Sequence, residues 1–184
     1  LWPMGEEWEY HLGRNEFKSL DRYMRAFNAR YGESNSIEDF AKYSQISNYE
    51  AIRPMFEAFA VNKPKSTGVI QWMLNSAWPE MFWQLYDYYL MPNGSFYGTK
   101  KASQTINAIF NYKDNAIYLT NEHFHTIENT TLEVKVFDIN SKLLLDEKIN
   151  SNIYANSSKK AYHIPQLTDI ATTYFVHIRL YSSE

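Results

Sequence analysis

Two periodicities divide the chain. In its first third, apolar residues recur every three or four positions. Phe17, Leu20, Met24, Phe27 and Tyr31 make one such stripe, the spacing of a single helix face. Gly32 is placed to end that helix, because glycine accepts the backbone of a helix C-terminus without strain. A second helix is predicted from Ser36, where Asp39 three residues on resembles a capping box. Ile46, Tyr49, Ile52, Phe56 and Phe59 line one of its faces, and Phe40, Tyr43, Ala51, Met55 and Ala58 line another. Cover on two sides is therefore expected. Pro54 should kink or split the helix, since it removes a hydrogen bond and crowds the preceding turn. Residues 1–15 show no period and read as an irregular loop carrying Trp2, Trp8, Tyr10 and His11.

From about residue 104 the period becomes two. Ile106, Ala108 and Phe110 alternate with polar neighbours, as do Ile117 and Leu119, and then Leu132, Val134 and Val136. Residues 143–149 and 161–164 follow, and then Tyr174, Val176, Ile178 and Leu180. Turn-forming residues at 113–115 and 138–141 separate the runs. Short strands at about ten-residue spacing predict an antiparallel β-sandwich of the immunoglobulin type. There is no cysteine, so the sandwich holds together without a disulfide and thiol catalysis is excluded.

Between the two regimes lies the segment richest in candidate chemistry. The apolar run 69–73 follows Gly68 and predicts a buried strand over 68–73. Trp72, Asn75, Trp78-Pro79 and Trp83 crowd its end. Flat aromatic faces beside an amide that both donates and accepts suit the apolar face and hydroxyls of a sugar. A strand and loop packing into a core is the competing explanation. Pro92-Asn93-Gly94 signals a turn.

Composition narrows the field further. Aromatic residues make up 17% of the chain and the net charge is -3. No basic stretch interleaved with aromatics suggests nucleic acid, and no apolar span is long enough to cross a membrane. The histidines, at 11, 123, 125, 163 and 177, lack metal-ligand spacing; His123 and His125 could share a strand face, but no third ligand joins them. Gly-rich phosphate loops and serine nucleophile elbows are absent. Asn129-Thr-Thr and Asn156-Ser-Ser match glycosylation acceptors, which matters only in a eukaryotic secretory host. Glu6, Glu7 and Glu9 flank Trp8 without an evident catalytic partner and read as a solvated acidic loop. The opening residues LWPMGEEWEY resemble neither a signal peptide nor a natural start, so the chain reads as a piece of a longer protein.

Several motifs together resemble family 2 glycoside hydrolases, in the exo-β-D-glucosaminidase and β-mannosidase branch. They are Trp72-Met73-Leu74-Asn75, Trp78-Pro79, Trp83-Gln84-Leu85-Tyr86-Asp87-Tyr88-Tyr89 and Tyr97-Gly98-Thr99-Lys100-Lys101-Ala102. The helix before them, over 36–68, is similar too. The resemblance implies an α/β piece over residues 1–102, the last helices and strand of a TIM barrel with its linker. An all-β immunoglobulin-like sandwich over 103–184 would follow, one strand short of the family's pattern. It implies a parent that is a retaining exo-glycosidase acting on terminal β-linked glucosamine or mannose, secreted or periplasmic, with carbohydrate as substrate and no cofactor. Both catalytic glutamates of that family would lie before this chain, so no catalytic residue is assigned and the chain alone should be inactive. Trp72 is expected to floor the sugar subsite, with Asn75 and Trp78 at its rim. Trp83 and the tyrosines of 86–89 should join barrel to sandwich, Asp87 should hold its loop, and Trp2, Tyr10 and His11 could rim the pocket. The expected partners are the remainder of the parent and, through cut edges, a second copy of the chain; neither metal, nucleic acid nor membrane is expected. A non-enzymatic carbohydrate-binding or scaffold module is the alternative from another class, and a β-galactosidase or β-glucuronidase relative is the alternative within the family.

Overall fold

Aromatic stripes and alternating aliphatics build two different units. The structure, a computed structural model, describes residues 2–12, 20–81, 83–168 and 173–182. One unit comprises Leu1–Phe56 with Val69–Ala102, the other Glu57–Gly68 with Ser103–Glu184.

The first unit is helical. Helix α1 spans Glu6–His11, α2 Asp21–Tyr31, α3 Ile37–Val61, whose last turn from Glu57 belongs to the second unit, and α4 Gly94–Ala102. Its core is a knot of rings: Trp8, Phe27 and Phe40 are buried, with Phe27 and Phe40 centroids 5.2 Å apart and Trp8 edge-on to Phe40 at 5.4 Å. Such tilted and edge-to-face pairs add to the area they bury. Both predicted helix signals operate. The Ser36 hydroxyl accepts the Asp39 amide at 3.1 Å, and Gly32, at φ 80°, closes α2 by donating to the Asn28 carbonyl. Phe17, the first residue of the predicted stripe, lies outside the described residues.

Four expectations need correction. Residues 6–11 form a helix where a loop was expected. Six residues are too few to display a period, and Trp8 anchors the turn while Glu6 and Glu7 favour its N-terminal dipole. Of the two effects expected of Pro54, splitting does not occur, and α3 runs unbroken through it; one missing hydrogen bond, with Glu50 on the exposed side, does not outweigh packing on either side of it. The second face of α3 is covered only at Phe40 and Tyr43, while Ala51, Met55 and Ala58 are exposed. The strand predicted over 68–73 is irregular, and Ile70 is 92% exposed. A strand needs a neighbour to take up its alternate backbone groups, and no described segment pairs with it.

Helix α4 occupies a stretch where the sequence shows only a turn signal and a linker. It lies against α3 at backbone contact. A Cβ on Gly94 would stand 2.0 Å from the Gln45 carbonyl oxygen, and one on Gly98 2.5 Å from Ile52 Cγ2 and 2.9 Å from the Tyr49 carbonyl oxygen. Gly94, Gly98 and Ala102 recur every four residues, so the whole contact stripe of α4 is small.

The second unit is the expected sandwich. Strands β1 Ile106–Asn111, β2 Ala116–Asn121 and β5 Ser157–His163 form one antiparallel sheet in the order β1-β2-β5. Strands β4 Leu143–Ile153, β3 Ile127–Asp138 and β6 Tyr174–Tyr181 form the other, in the order β4-β3-β6. Central strand β3 points Leu132, Val134 and Val136 into the core, where Ile117, Leu119, Ile127 and Ile153 meet them. The outer face of the first sheet is covered as well. Ser158 Oγ donates to the Val61 carbonyl at 2.9 Å, and Lys63 pairs with Glu122 at 2.5 Å. The last turn of α3 therefore lies on that face, where Ile109 is also buried. At the β1–β2 turn, Asp114 pairs with Lys160 and accepts the Tyr118 hydroxyl at 2.9 Å.

Two predictions follow from these contacts. Gly98→Ala should destabilise the helical unit by about 1–3 kcal/mol, since backbone lies where the methyl must go. Urea unfolding followed by near-ultraviolet circular dichroism reads this, and an unmoved midpoint would show that α3 and α4 separate at no cost. Asp114 is held below the ordinary carboxylate value, first by its hydrogen bond from Lys160 and then by that from Tyr118. A lowered folded value gives stability that is full above the unfolded value of about 3.9 and lost as pH falls through the folded one. Asp114→Asn should therefore weaken the sandwich at neutral pH and flatten its loss of stability in acid. Parallel acid-unfolding curves for the two proteins would refute this.

Candidate functional site

The described residues of 71–93 carry the predicted sugar-binding side chains without forming a helix or strand. Their order comes from side-chain amides. Gln84, 2% exposed, donates through Nε2 to Ser76 Oγ and to Glu80 Oε1, the latter at 3.1 Å. Its carbonyl accepts Asn93 Nδ2 at 2.6 Å. Asn93 Oδ1 in turn caps α4 by accepting the Phe96 amide at 3.2 Å. Gln45 Oε1, from α3, accepts the Gly94 amide at 2.6 Å. Further along, Leu74 presents its carbonyl to the amides of Leu85 and Tyr86, both at 3.0 Å, and Gln71 Nε2 donates to the Trp83 carbonyl at 2.8 Å. These bonds do the work a ladder would otherwise do, because buried backbone groups must find partners.

The predicted site residues divide into two settings. Trp72 is 74% exposed and its indole stands in solvent. Asn75 is exposed beside it in sequence, with one long contact from Nδ2 to the Ser76 carbonyl at 3.4 Å. Trp78 is half-buried against α1. The His11 ring stacks on it at 5.6 Å and 22°, and Tyr10 meets it edge-on at 5.3 Å. Among the described residues no ring contact or hydrogen bond joins Trp78 to Trp72 or Asn75.

A cavity of about 340 Å³ opens nearby, walled by Glu7, His11, Glu80, Asp87, Tyr88 and Tyr89 among others. Two of its carboxylates already have structural duties. Glu80 holds the Gln84 amide, and Asp87 Oδ1 accepts the Met91 amide at 2.9 Å, closing the tight 87–91 loop as expected of it. Glu6 and Glu9 are exposed on α1. Trp2, expected near the rim, instead packs into the ring core against Phe40 at 5.5 Å. The His123 and His125 rings lie 4.9 Å apart in the β2–β3 loop, and no group of three or more metal-ligating side chains occurs among the described residues. No described helix is long and apolar enough to cross a membrane.

The sequence marks Gln84 only within a family-like motif and Asn93 only within a turn signal, and gives neither the role of holding this segment in place. Amides in an aperiodic stretch carry no spacing signal. Only the family-like Trp83-Gln84 pairing singled Gln84 out.

Comparison with known proteins gives this geometry a context. Residues 114–184 match the Mannosidase Ig/CBM-like domain. The exo-β-D-glucosaminidase of Arthroderma benhamiae is 36% identical over 165 residues, and that of Amycolatopsis orientalis 29% identical over 181. The crystal structure of the Amycolatopsis orientalis exo-chitosanase superposes with a TM-score of 0.88 over 95% of this chain, at 28% identity. Over most of its length the chain is similar to exo-β-D-glucosaminidases, enzymes of family 2 of the glycoside hydrolases. It spans about a fifth of its relatives: 19% of the Arthroderma enzyme and 21% of the solved Amycolatopsis chain. The β-D-mannosidase of Dictyoglomus thermophilum, at 21% identity and a TM-score of 0.84, shares the fold of this chain.

The amide network makes a direct prediction. Gln84→Leu keeps the volume but leaves Ser76 Oγ and Glu80 Oε1 without the Gln84 Nε2 donor, costing about 1–3 kcal/mol locally. Amide exchange at Leu85, Tyr86 and Asn93 should speed up, as read by mass spectrometry after proteolysis. Unchanged exchange there would mean that backbone contacts alone order the segment.

Proposed function

We propose that this chain is one part of a retaining exo-glycosidase that removes terminal β-linked glucosamine or mannose. On this reading residues 1–102 complete the catalytic barrel and its linker, and 103–184 are the sandwich that follows. The relatives named exo-β-D-glucosaminidase support the substrate class. The observation that carries the reading is the solvent-facing indole of Trp72, flanked by Ile70 and Leu74, both also exposed. Three large apolar side chains in water at one place call for a cover. Neighbouring barrel strands would cover Ile70 and Leu74, and a pyranose ring would cover the indole.

Retention requires two carboxyl groups about 5 Å apart, one as nucleophile and one as acid/base. This chain supplies neither in the proposal. Its part is to bind: Trp72 stacks on the sugar, Asn75 exchanges hydrogen bonds with the hydroxyls, and Trp78 bounds the subsite. Residues held on a preorganised loop place the glycosidic bond against carboxylates elsewhere in the enzyme. Extracytoplasmic polysaccharide is the natural source of such a substrate, which favours secretion. In isolation the uncovered apolar residues would favour self-association.

Trp72→Ala in the longer enzyme should lower kcat/KM for an aryl β-glucosaminide or β-mannoside by about 10²-fold, with circular dichroism checking the fold. The 184-residue chain alone should turn over neither substrate. Near-normal kinetics in the folded variant would make Trp72 a packing residue. Turnover by the isolated chain would overturn the assignment of catalysis to residues outside it.

A further inference from the structure

We infer that His11 is a positioning residue for Trp78. Three contacts from one residue hold the loop that bears this indole. His11 Nδ1–H donates to the Pro79 carbonyl at 2.6 Å. The His11 carbonyl accepts the Met81 amide at 3.1 Å. The imidazole itself lies on the indole at 5.6 Å and 22°, while Tyr10 closes edge-on against both rings.

Glu80 and Met81 tie the backbone of this loop to Gln84 and to the ring core, but the rings that touch the indole itself, among the described residues, are those of His11 and Tyr10. Residues 78–81 form no helix or strand, and Pro79 has no amide of its own to offer. Helix α1 is in contrast anchored, because buried Trp8 pins it into the ring core. His11 thus transmits the position of a fixed element to an irregular one. Stacking on a sugar tolerates an error of only about 10–20° in the plane of the ring. With the imidazole on one face, only the opposite face and the edge of Trp78 are left for a ligand. The side chain must combine a donor with a flat ring: asparagine offers only the donor, and phenylalanine only the ring.

The inference rests on Trp78 as a sugar-binding ring, and goes beyond that reading by naming what holds it. The test uses the full-length enzyme and an aryl β-glucosaminide. His11→Ala is expected to raise KM about five- to tenfold with kcat within about twofold. His11→Asn and His11→Phe should each recover part of that loss. Trp78→Ala should raise KM comparably, and adding His11→Ala to it should change KM by less than about twofold, because the two residues act as one unit. A merely structural histidine would lower the active fraction, and so kcat, and leave KM alone. If Trp78→Ala raises KM while the His11 variants do not, the positioning role fails and the sugar-binding reading stands. Additive increases in the double variant also overturn it. If Trp78→Ala leaves KM unchanged, the reading of Trp78 fails and the inference falls with it. Should His11→Ala not fold, the His11→Asn and His11→Phe enzymes decide the same question.

Discussion

The helical unit depends on two glycines. Gly94 and Gly98 let the backbone of α4 rest on the backbone of α3, at a distance no side chain allows. That approach brings Gln45 to the first amide of α4 and sets Asn93 at its cap. Asn93 then holds the Gln84 carbonyl, and the Gln84 side chain reaches back to Ser76 and Glu80. A backbone contact between two helices is thus relayed through two amides to the loop that carries Trp72, Asn75 and Trp78. A bulkier residue at Gly98 would displace the start of this relay rather than any site residue directly.

The two units are stabilised by different physics, and this bears on function. The sandwich closes over aliphatic side chains in register, with Leu132, Val134 and Val136 wholly buried in its central strand. Its ladders satisfy the backbone, so little is left to side chains. The helical unit has few ladders to use. Its core is a cluster of rings, and its longest irregular segment is held by glutamine, asparagine and one histidine. Such a segment can present an indole to solvent because its backbone partners are already secured. Loops held over a rigid frame are where binding residues commonly sit, and the proposed function places Trp72 on such a loop.

Asp87 illustrates how a carboxylate can look catalytic and be structural. It sits among tyrosines on a cavity wall, yet one oxygen is engaged with the Met91 amide inside its own loop. Glu80 is similarly engaged with Gln84. The chemistry of such a site therefore cannot be inferred from residue type alone; the hydrogen bond each group has already made decides which groups remain available.

The sandwich was legible in the amino-acid order because its strands carry their own signal. Period-two alternation at Ile117 and Leu119, or across 132–136, holds whatever the neighbours are, since each strand has a buried and an outer face. The same is true of α2 and the start of α3, where the stripe, Gly32 and Ser36 are local signals of local structure. Trp72, Asn75 and Trp78 stand out in the same order only as candidates, through side-chain chemistry and family-like motifs. What the order of residues could not decide was everything that depends on a contact between distant segments. Residues 69–73 have the composition of a buried strand, but a strand exists only beside a partner, and the partner is a tertiary fact. Helix α1 is too short to show a period and is made by Trp8 reaching the ring core. Helix α4 looked like a turn because its glycines, unfavourable for a free helix, are explained only by the backbone of α3 lying against them. The clamp of His11 on Trp78 joins residues 67 positions apart in the chain, and only the fold brings them to 5.6 Å.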